Sequence, residues 1–397
     1  MADADTFNPE MVNLTSVDQR TIICYLNASG NDYNGKLGAR ISALFVILIT
    51  SSFCTCFPII ATRLKRLRIP VHVYLFARYF GAGVIIATAF IHLLDPAYDE
   101  IGPASCVGMT GGWAEYSWPP CLALIMVMLT FLLDFGAEWY VDKKYGMGHN
   151  HGDNIEGAIT NGSEDLHTDN KPLGNVQRPS QSHQFLHSAD QDGTTPATTK
   201  AVTSQDNTND SIQDKLDVEK VDYANASSDL AFREQFAAFL VLEFGVIVHS
   251  VIIGLNLGVV GDEFNTLYPV VVFHQAFEGL GIGARLSAIP FPARPTKFIR
   301  ALPWLLCAAY GLTTPISIAI GLGLRTTYNG NSFTANMVSG ILDSISAGIL
   351  VYTGLVELLA RDFLFNPERT RDGKRVTFML VCLFLGTAIM ALLGKWA

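Results

Sequence analysis

Three ionisable residues within apolar stretches have the types and the spacing of a metal-binding site. His274 and Glu278 are four residues apart, so on a helix their side chains lie on one face. An imidazole and a carboxylate on one face form half of a site for a borderline divalent ion such as zinc. His249 would supply a third ligand if its helix pairs with the helix of the other two. The alternative is an interhelical hydrogen-bond network without metal.

A second pair of ligand types lies closer to the N-terminus. His92 and Asp95 are three residues apart near the end of another apolar stretch. They could capture a hydrated ion and begin to remove its water, which predicts an outer metal-access site. The alternative is that both residues anchor a helix at the membrane interface.

A histidine-bearing tract lies in the polar middle of the chain. Residues 148–153 read Gly-His-Asn-His-Gly-Asp and contain His149 and His151. Such a tract can capture metal ions weakly. A solvated linker with incidental histidines is an equally good interpretation.

Composition places the first of these groups in a membrane. The 397 residues are 49% hydrophobic and 16% charged, with a mean hydropathy of +0.29, whereas soluble domains carry about 25% charged residues. An ordinary cytosolic enzyme is therefore excluded, and the lack of a long basic stripe excludes nucleic-acid binding. Eight apolar runs approach the roughly 20 residues of a membrane-spanning helix: 37–62, 71–95, 119–141, 234–260, 267–288, 302–324, 333–360 and 376–393. We predict an all-α polytopic membrane protein with eight transmembrane helices.

The distribution of charge predicts how these helices are oriented. Lys and Arg concentrate in the links after runs one, three, five and seven, and the positive-inside rule places these links in the cytosol. The prediction is an extracellular segment at 1–36, helices 1–3 at 37–141, a cytosolic loop at 142–232 and helices 4–8 at 233–397, with both termini outside. The loop holds 15 acidic and 7 basic residues and few aromatic ones, so we predict that it is disordered.

Three cysteines lie on the predicted outer side. The sequence allows a disulfide between Cys24 and Cys106 or between Cys106 and Cys121, and it does not choose between them.

Longer motifs surround the candidate ligands. They are Gly83-Val-Ile-Ile-Ala-Thr-Ala-Phe-Ile-His92, His249-Ser250-x3-Gly254-x3-Gly258, His274-Gln275-Ala-Phe-Glu278-Gly279 and Leu342-Asp343-Ser344-Ile-Ser-Ala-Gly348. With these motifs the chain resembles the ZIP (Zrt-, Irt-like protein) family of divalent metal transporters, and in particular its fungal zinc-uptake members. The resemblance implies an eight-helix bundle with a metal site between helices 4 and 5. By position, His249, His274 and Glu278 match the metal-binding residues of the family, and Ser250 and Gln275 match positions where some members place ligands for a second metal.

The resemblance and the candidate ligands together predict import of Zn²⁺ into the cytosol across the plasma membrane. Zn²⁺ would be the transported substrate, with no cofactor, and the partners would be the divalent ion and the lipid bilayer; a homodimer is left open. The chain has no Gly-x4-Gly-Lys-Ser/Thr motif, which favours movement without ATP. Two alternatives are a membrane-embedded zinc hydrolase, in which a metal-bound water attacks an amide, and a metal-sensing receptor.

Overall fold

The computed structural model describes residues 17–28, 33–63, 70–145, 209–292, 295–327, 329–365 and 372–396, and within these ranges the regular structure is entirely helical. The α-helices are α1 (Gln19–Ala28), α2 (Leu37–Arg63), α3 (Val71–Ala87), α4 (Asp95–Ile101), α5 (Trp118–Tyr145), α6 (Asn209–Val259), α7 (Phe264–Ala288), α8 (Lys297–Leu324), α9 (Phe333–Tyr352) and α10 (Gly373–Leu393). The π-helical segments are Thr88–Leu94 and Thr353–Phe365, and the 3₁₀ turns are Gly111–Trp113 and Gly394–Trp396. The prediction of an all-α fold is confirmed.

Seven described helices are long and apolar enough to cross a membrane: Leu37–Arg63, Val71–Ile101, Trp118–Ala137, Phe232–Val259, Lys297–Leu324, Phe333–Phe365 and Gly373–Trp396. The fifth predicted span corresponds to α7, which has 25 residues but is not among the seven. At about 1.5 Å per residue, α7 is nevertheless long enough to cross the apolar core of a bilayer. The count of eight spans and the external termini therefore remain predictions.

The chain divides into two compact units, residues 1–140 with 226–397 and residues 141–225. In the second unit the described residues are the end of α5 and the first part of α6. Helix α6 begins at Asn209, whereas the sequence predicts a disordered loop up to 232. Residues 209–232 contain neither glycine nor proline, which is compatible with a helix despite their polar composition. The remainder of that predicted loop, 146–208, lies outside the described residues.

Side chains at the helix starts explain several boundaries. The Thr296 hydroxyl accepts a hydrogen bond from the Ile299 amide at the start of α8, and Asp372 accepts one from the Lys374 amide at the start of α10. The first amides of a helix have no intrahelical acceptor, so such caps stabilise the ends. They fix where the chain enters each helix on the side that carries the basic links.

Glycines allow α7 to lie in direct backbone contact with its neighbours. A Cβ atom added at Gly81 in α3 would lie 2.2 Å from the Cα of Gly281, and one added at Gly283 would lie 2.1 Å from the main-chain oxygen of Thr55 in α2. Only residues without a side chain permit this approach. Helix α7 is therefore held between α2 and α3.

A disulfide joins Cys24 in α1 to Cys106 in the segment after α4. Of the two pairings that the sequence allows, this is the one formed, and Cys121 is a free thiol. The bond ties α1 to the end of the bundle where α4 lies.

A fully buried arginine organises the junction between α6 and α7. Arg40 in α2 donates hydrogen bonds to the carbonyl oxygens of Leu257 (3.0 Å), Gly258 (3.1 Å) and Val260. Its guanidinium carbon also lies 4.6 Å from the centroid of the Phe264 ring. Because the last carbonyls of a helix lack intrahelical donors and carry partial negative charge, the arginine stabilises the end of α6. Arg40 thereby holds the end of α6 beside the start of α7.

Candidate metal site

The structure brings the three predicted ligands together. His249 comes from α6, and His274 and Glu278 come from successive turns of α7. Each offers one ligand atom, and these atoms lie within 4.8 Å of one another. All three residues are buried, with exposed fractions of 2%, 1% and 0% respectively. The short link between α6 and α7 makes the two helices neighbours, and the four-residue spacing places His274 above Glu278.

Polar atoms in this group lack hydrogen-bond partners among the described residues. They are both ring nitrogens of His249, Nε2 of His274 and Oε2 of Glu278. The Nε2 atom of His274 lies 3.3 Å from Oε1 of Glu278, within ion-pair distance but without hydrogen-bond geometry. Buried polar groups are normally hydrogen-bonded, because leaving them unpaired costs free energy. Two imidazoles and one carboxylate with free lone pairs fit a divalent zinc ion.

The other oxygen of Glu278, Oε1, accepts a hydrogen bond from the π-helical segment that follows α3. The Thr88 hydroxyl, at the first residue of the π-helical segment, donates a hydrogen bond of 2.9 Å to Oε1 of Glu278. Thr88 is completely buried. A carboxylate ligand is commonly oriented by a hydrogen bond of this kind to its second oxygen. In Glu278 the bond occupies Oε1, and Oε2 has no hydrogen-bond partner among the described residues.

His92 lies beside the three candidate ligands, in the same π-helical segment as Thr88. Its ring stands edge-on to that of His274 with centroids 4.7 Å apart, and its Nε2 lies 3.0 Å from the carbonyl oxygen of Met390. Donation from Nε2 to that carbonyl fixes the ring orientation. Asp95, the predicted partner of His92, is exposed and does not line the cavity described below. The structure therefore does not bring His92 and Asp95 to one wall.

Ser250 and Gln275, the two further predicted ligands, are in contact with each other. Nε2 of Gln275 donates a hydrogen bond of 3.4 Å to the Ser250 hydroxyl, and both residues are fully buried. Oε1 of Gln275 has no hydrogen-bond partner within the described part of the chain. The Tyr310 hydroxyl binds the main-chain oxygen of Gln275 at 2.9 Å. Both side chains lie next in sequence to histidines of the site, and their amide and hydroxyl groups are neutral.

A cavity of about 980 Å³ leads to the histidines. His92, His249 and His274 lie on its wall, and Asp262 and Glu263 of the α6–α7 link are exposed on the same wall. The cavity thus connects the candidate ligands with the end of the bundle that charge distribution predicts to be extracellular. Negative charge near a mouth raises the local concentration of cations.

Sequence reasoning did not assign the two acids of this cavity that are not exposed. They are Glu100 in α4 and Asp343 in α9, and Oδ1 of Asp343 lies 3.8 Å from Nδ1 of His249. Asp343 is visible in the sequence as an acid within an apolar run, which is a signal for function. Nothing in the sequence places it beside His249, because their separation along the chain is large.

Ion pairs occupy the other end of α7. Arg285, seven residues beyond Glu278, pairs with Glu357 at 3.2 Å, and Glu357 also pairs with Arg361 at 2.8 Å. Arg78 pairs with Asp362 at 2.7 Å. We call Arg78, Arg285, Glu357, Arg361 and Asp362 the inner ion-pair cluster. It links α3, α7 and the π-helical segment that follows α9.

The histidines of the predicted capture tract, His149 and His151, lie outside the described residues. That part of the prediction is unaffected by the geometry above.

Comparison with known proteins identifies a family. The sequence profile of the ZIP zinc transporters matches residues 37–394. The chain is 53% identical over 369 residues to zinc-regulated transporter 1 of Saccharomyces cerevisiae. This alignment covers 93% of this chain and 90% of that protein. The chain is 38% identical over 389 residues to zinc-regulated transporter 1 of Schizosaccharomyces pombe; the alignment covers 95% of this chain and 90% of that protein. It is 31% identical over 381 residues to zinc transporter 9 of Oryza sativa subsp. japonica, with 94% of this chain and 93% of that protein covered. No solved structure matches the chain significantly.

The profile match covers the helices that carry all of the candidate ligands, from α2 to the 3₁₀ turn after α10. It confirms the resemblance on which the prediction of a metal transporter, rather than an enzyme, was based. The chain belongs to the ZIP zinc transporter family.

Proposed function

We propose that this protein imports Zn²⁺ into the cytosol and that His249, His274 and Glu278 bind the ion on its way. The observation that carries the proposal is a buried group of ligand atoms on a cavity wall, several of which have no hydrogen-bond partner among the residues that the structure describes. Two neutral imidazoles and one carboxylate give a net charge of −1, which partly neutralises the ion. This donor set suits zinc, and iron(II), manganese and cadmium can use similar ligands.

Three protein ligands suit a transported ion better than four. A structural zinc site is closed by four protein ligands, whereas a site with three leaves a position for water or another ligand. An ion held at such a site can exchange ligands one at a time. Ser250 and Gln275 offer further neutral oxygen atoms next to the histidines, and the hydroxyl and amide of this pair would serve as weak ligands.

The two ends of α7 support movement of the ion from outside to inside. The cavity reaches the histidines from the predicted extracellular end, and the inner ion-pair cluster lies beyond Glu278 towards the predicted cytosolic end. This arrangement corresponds to an outward-facing state. Release of the ion into the cytosol would require the Arg285–Glu357 contact to separate, because it connects α7 with the segment after α9.

The remaining elements of the proposal rest on the sequence. Residues 1–36 would be extracellular, 37–141 and 233–397 would form the transmembrane part, and 142–232 would be a cytosolic loop whose His149 and His151 capture released ions. His92 would assist the ion's passage through the cavity. The zinc-uptake resemblance supports location in the plasma membrane, and a homodimer is compatible with it.

Uptake of radioactive zinc into proteoliposomes tests the function and the site together. Glu278→Ala removes the only carboxylate among the three ligands, and even residues that merely support a ligand contribute about 10–100-fold to metal affinity. We therefore expect uptake at low zinc to fall at least about 100-fold. Glu115→Ala is the matched control, since Glu115 is exposed on the outer segment before α5. Wild-type uptake by Glu278→Ala, with unchanged affinity, would contradict the proposed site.

A further inference from the structure

Two carboxylates on the cavity wall that are shielded from solvent have no role in the metal site. Glu100 lies in α4 and is half-buried, and Asp343 lies in α9 with an exposed fraction of 3%. Both line the cavity that also reaches His92, His249 and His274. A buried carboxylate within a membrane is costly, so its retention calls for a chemical explanation.

The packing of α4 against α9 holds the two acids close to each other. A Cβ atom added at Gly340 in α9 would lie 2.6 Å from Cγ2 of Ile101 and 3.2 Å from Cβ of Glu100. Gly340 and Asp343 are three residues apart and therefore lie on the same face of α9. Glu100 and Asp343 therefore lie at the same contact between α4 and α9.

Each of these carboxylates presents an oxygen atom that forms no hydrogen bond within the described part of the chain. Among the described residues, Oε2 of Glu100 and Oδ1 of Asp343 have no hydrogen-bond partner. Lys395 also lines the cavity, but the described ion pairs include none between Lys395 and either acid. Its ammonium lies 5.3 Å from the centroid of the Trp396 ring instead. Two neighbouring acids without a counter-ion repel each other, and a divalent cation between them would remove that repulsion.

His249 connects these acids with the central site. Its Nδ1 atom lies 3.8 Å from Oδ1 of Asp343, which is too long for a hydrogen bond, and neither ring nitrogen has a hydrogen-bond partner within the described chain. Its ring also lies beside that of His274, with centroids 5.5 Å apart. One imidazole therefore faces both an oxygen-rich group on the cavity wall and the proposed ligands on α7.

We infer that Glu100, Asp343 and Nδ1 of His249 form a second, outer binding site for a divalent cation, and that the ion passes from it to the central site. The inference rests on the proposed function, because it supplies the step before binding at His274 and Glu278. Carboxylate and water ligands suit a cation that keeps part of its hydration shell. The outer site would bind the ion more weakly than the central site. The ion would lose part of its hydration shell at the outer site and the rest at the central site.

A simpler role for Asp343 alone is to orient the His249 ring, as carboxylates often do for metal-binding histidines. That role requires a hydrogen bond from the imidazole to the carboxylate in the zinc-bound state, and it leaves Glu100 without a function. The two interpretations therefore differ in what they predict for Glu100.

Zinc binding to the purified full-length protein separates them. The background carries His274→Ala with Glu278→Ala, which disables the central site, and His149→Ala with His151→Ala, which removes the proposed capture by the loop. In this background, equilibrium dialysis with radioactive zinc should detect one residual, weaker site. Adding Glu100→Gln should weaken that residual binding at least tenfold. Asp99→Asn is the matched control, because Asp99 is the preceding residue of α4, lines the same cavity and is exposed. It should change residual binding by less than twofold.

Three results would overturn the outer site. They are no residual binding in the disabled background, residual binding unchanged by Glu100→Gln, or equal effects of Glu100→Gln and Asp99→Asn. Monodisperse elution and an unchanged thermal unfolding midpoint are required of each variant, and Glu100→Gln is close to isosteric. Failure of the proposed function is a separate outcome, because a different experiment detects it. In that experiment, the single variant Glu278→Ala would take up zinc at the wild-type rate.

Discussion

The hydrogen bond from Thr88 to Glu278 gives a quantitative test of how the site is held. Thr88→Val replaces the hydroxyl by a methyl group of nearly the same size at a completely buried position. The change removes the 2.9 Å donor to Oε1 of Glu278 and leaves that oxygen unsatisfied. A hydrogen bond to a charged group contributes about 1.5–3 kcal/mol. At about 1.4 kcal/mol per factor of ten, zinc affinity should fall roughly 10–100-fold.

Isothermal titration of zinc into the purified protein measures this change directly, and the Michaelis constant for uptake should move in parallel. Thr88→Ser is the control, because it keeps the hydroxyl and should remain within a few-fold of the wild type. The reasoning fails if Thr88→Val binds zinc as tightly as the wild type. It also fails if Thr88→Ser and Thr88→Val lose affinity equally, since the loss would then come from packing rather than from the hydrogen bond.

Three further predictions concern the scaffold. Gly283→Ala would place a Cβ atom 2.1 Å from a main-chain oxygen of α2. Such overpacking destabilises a fold by about 1–3 kcal/mol, so we expect a lower thermal unfolding midpoint in detergent. Gly323→Ala, where an added Cβ meets nothing within 4 Å, should match the wild type. Cys24→Ser should raise the number of maleimide-reactive thiols in the denatured, unreduced protein from five to six, because it frees Cys106; an unchanged number would refute the disulfide. Arg40→Lys should lower the unfolding midpoint, since one ammonium cannot reproduce the guanidinium's contacts with the end of α6 and with the Phe264 ring; a midpoint equal to that of the wild type would contradict this.

The helices were predictable because the bilayer imposes a length on each apolar run. All eight runs correspond to helices of the structure, and the predicted start of α2 at residue 37 and end of α7 at residue 288 coincide with the observed ones. The start of α6 was not predictable from hydropathy, since residues 209–232 are polar and helical at the same time. Polar segments carry no periodic apolar signal, and helix propensity alone is a weak guide.

Local spacing likewise determined the part of the site that lies on α7. His274 and Glu278 share a face because they are one helical turn apart, and the short link after α6 brings His249 to them. The contribution of Thr88 and the position of Asp343 depend on contacts between helices far apart in sequence, so no spacing rule could reveal them. The same limit applies to Asp95, whose proximity to His92 in sequence does not bring it to the cavity wall.

The central claim is that zinc binds between α6 and α7, and the position of a bound zinc ion tests it most directly. Crystals of the wild-type protein grown with zinc should be measured at the zinc absorption edge. The account predicts an anomalous peak surrounded by His249, His274 and Glu278, which should be lost in crystals of Glu278→Ala. A zinc-loaded protein whose peaks all lie away from these three residues would contradict it.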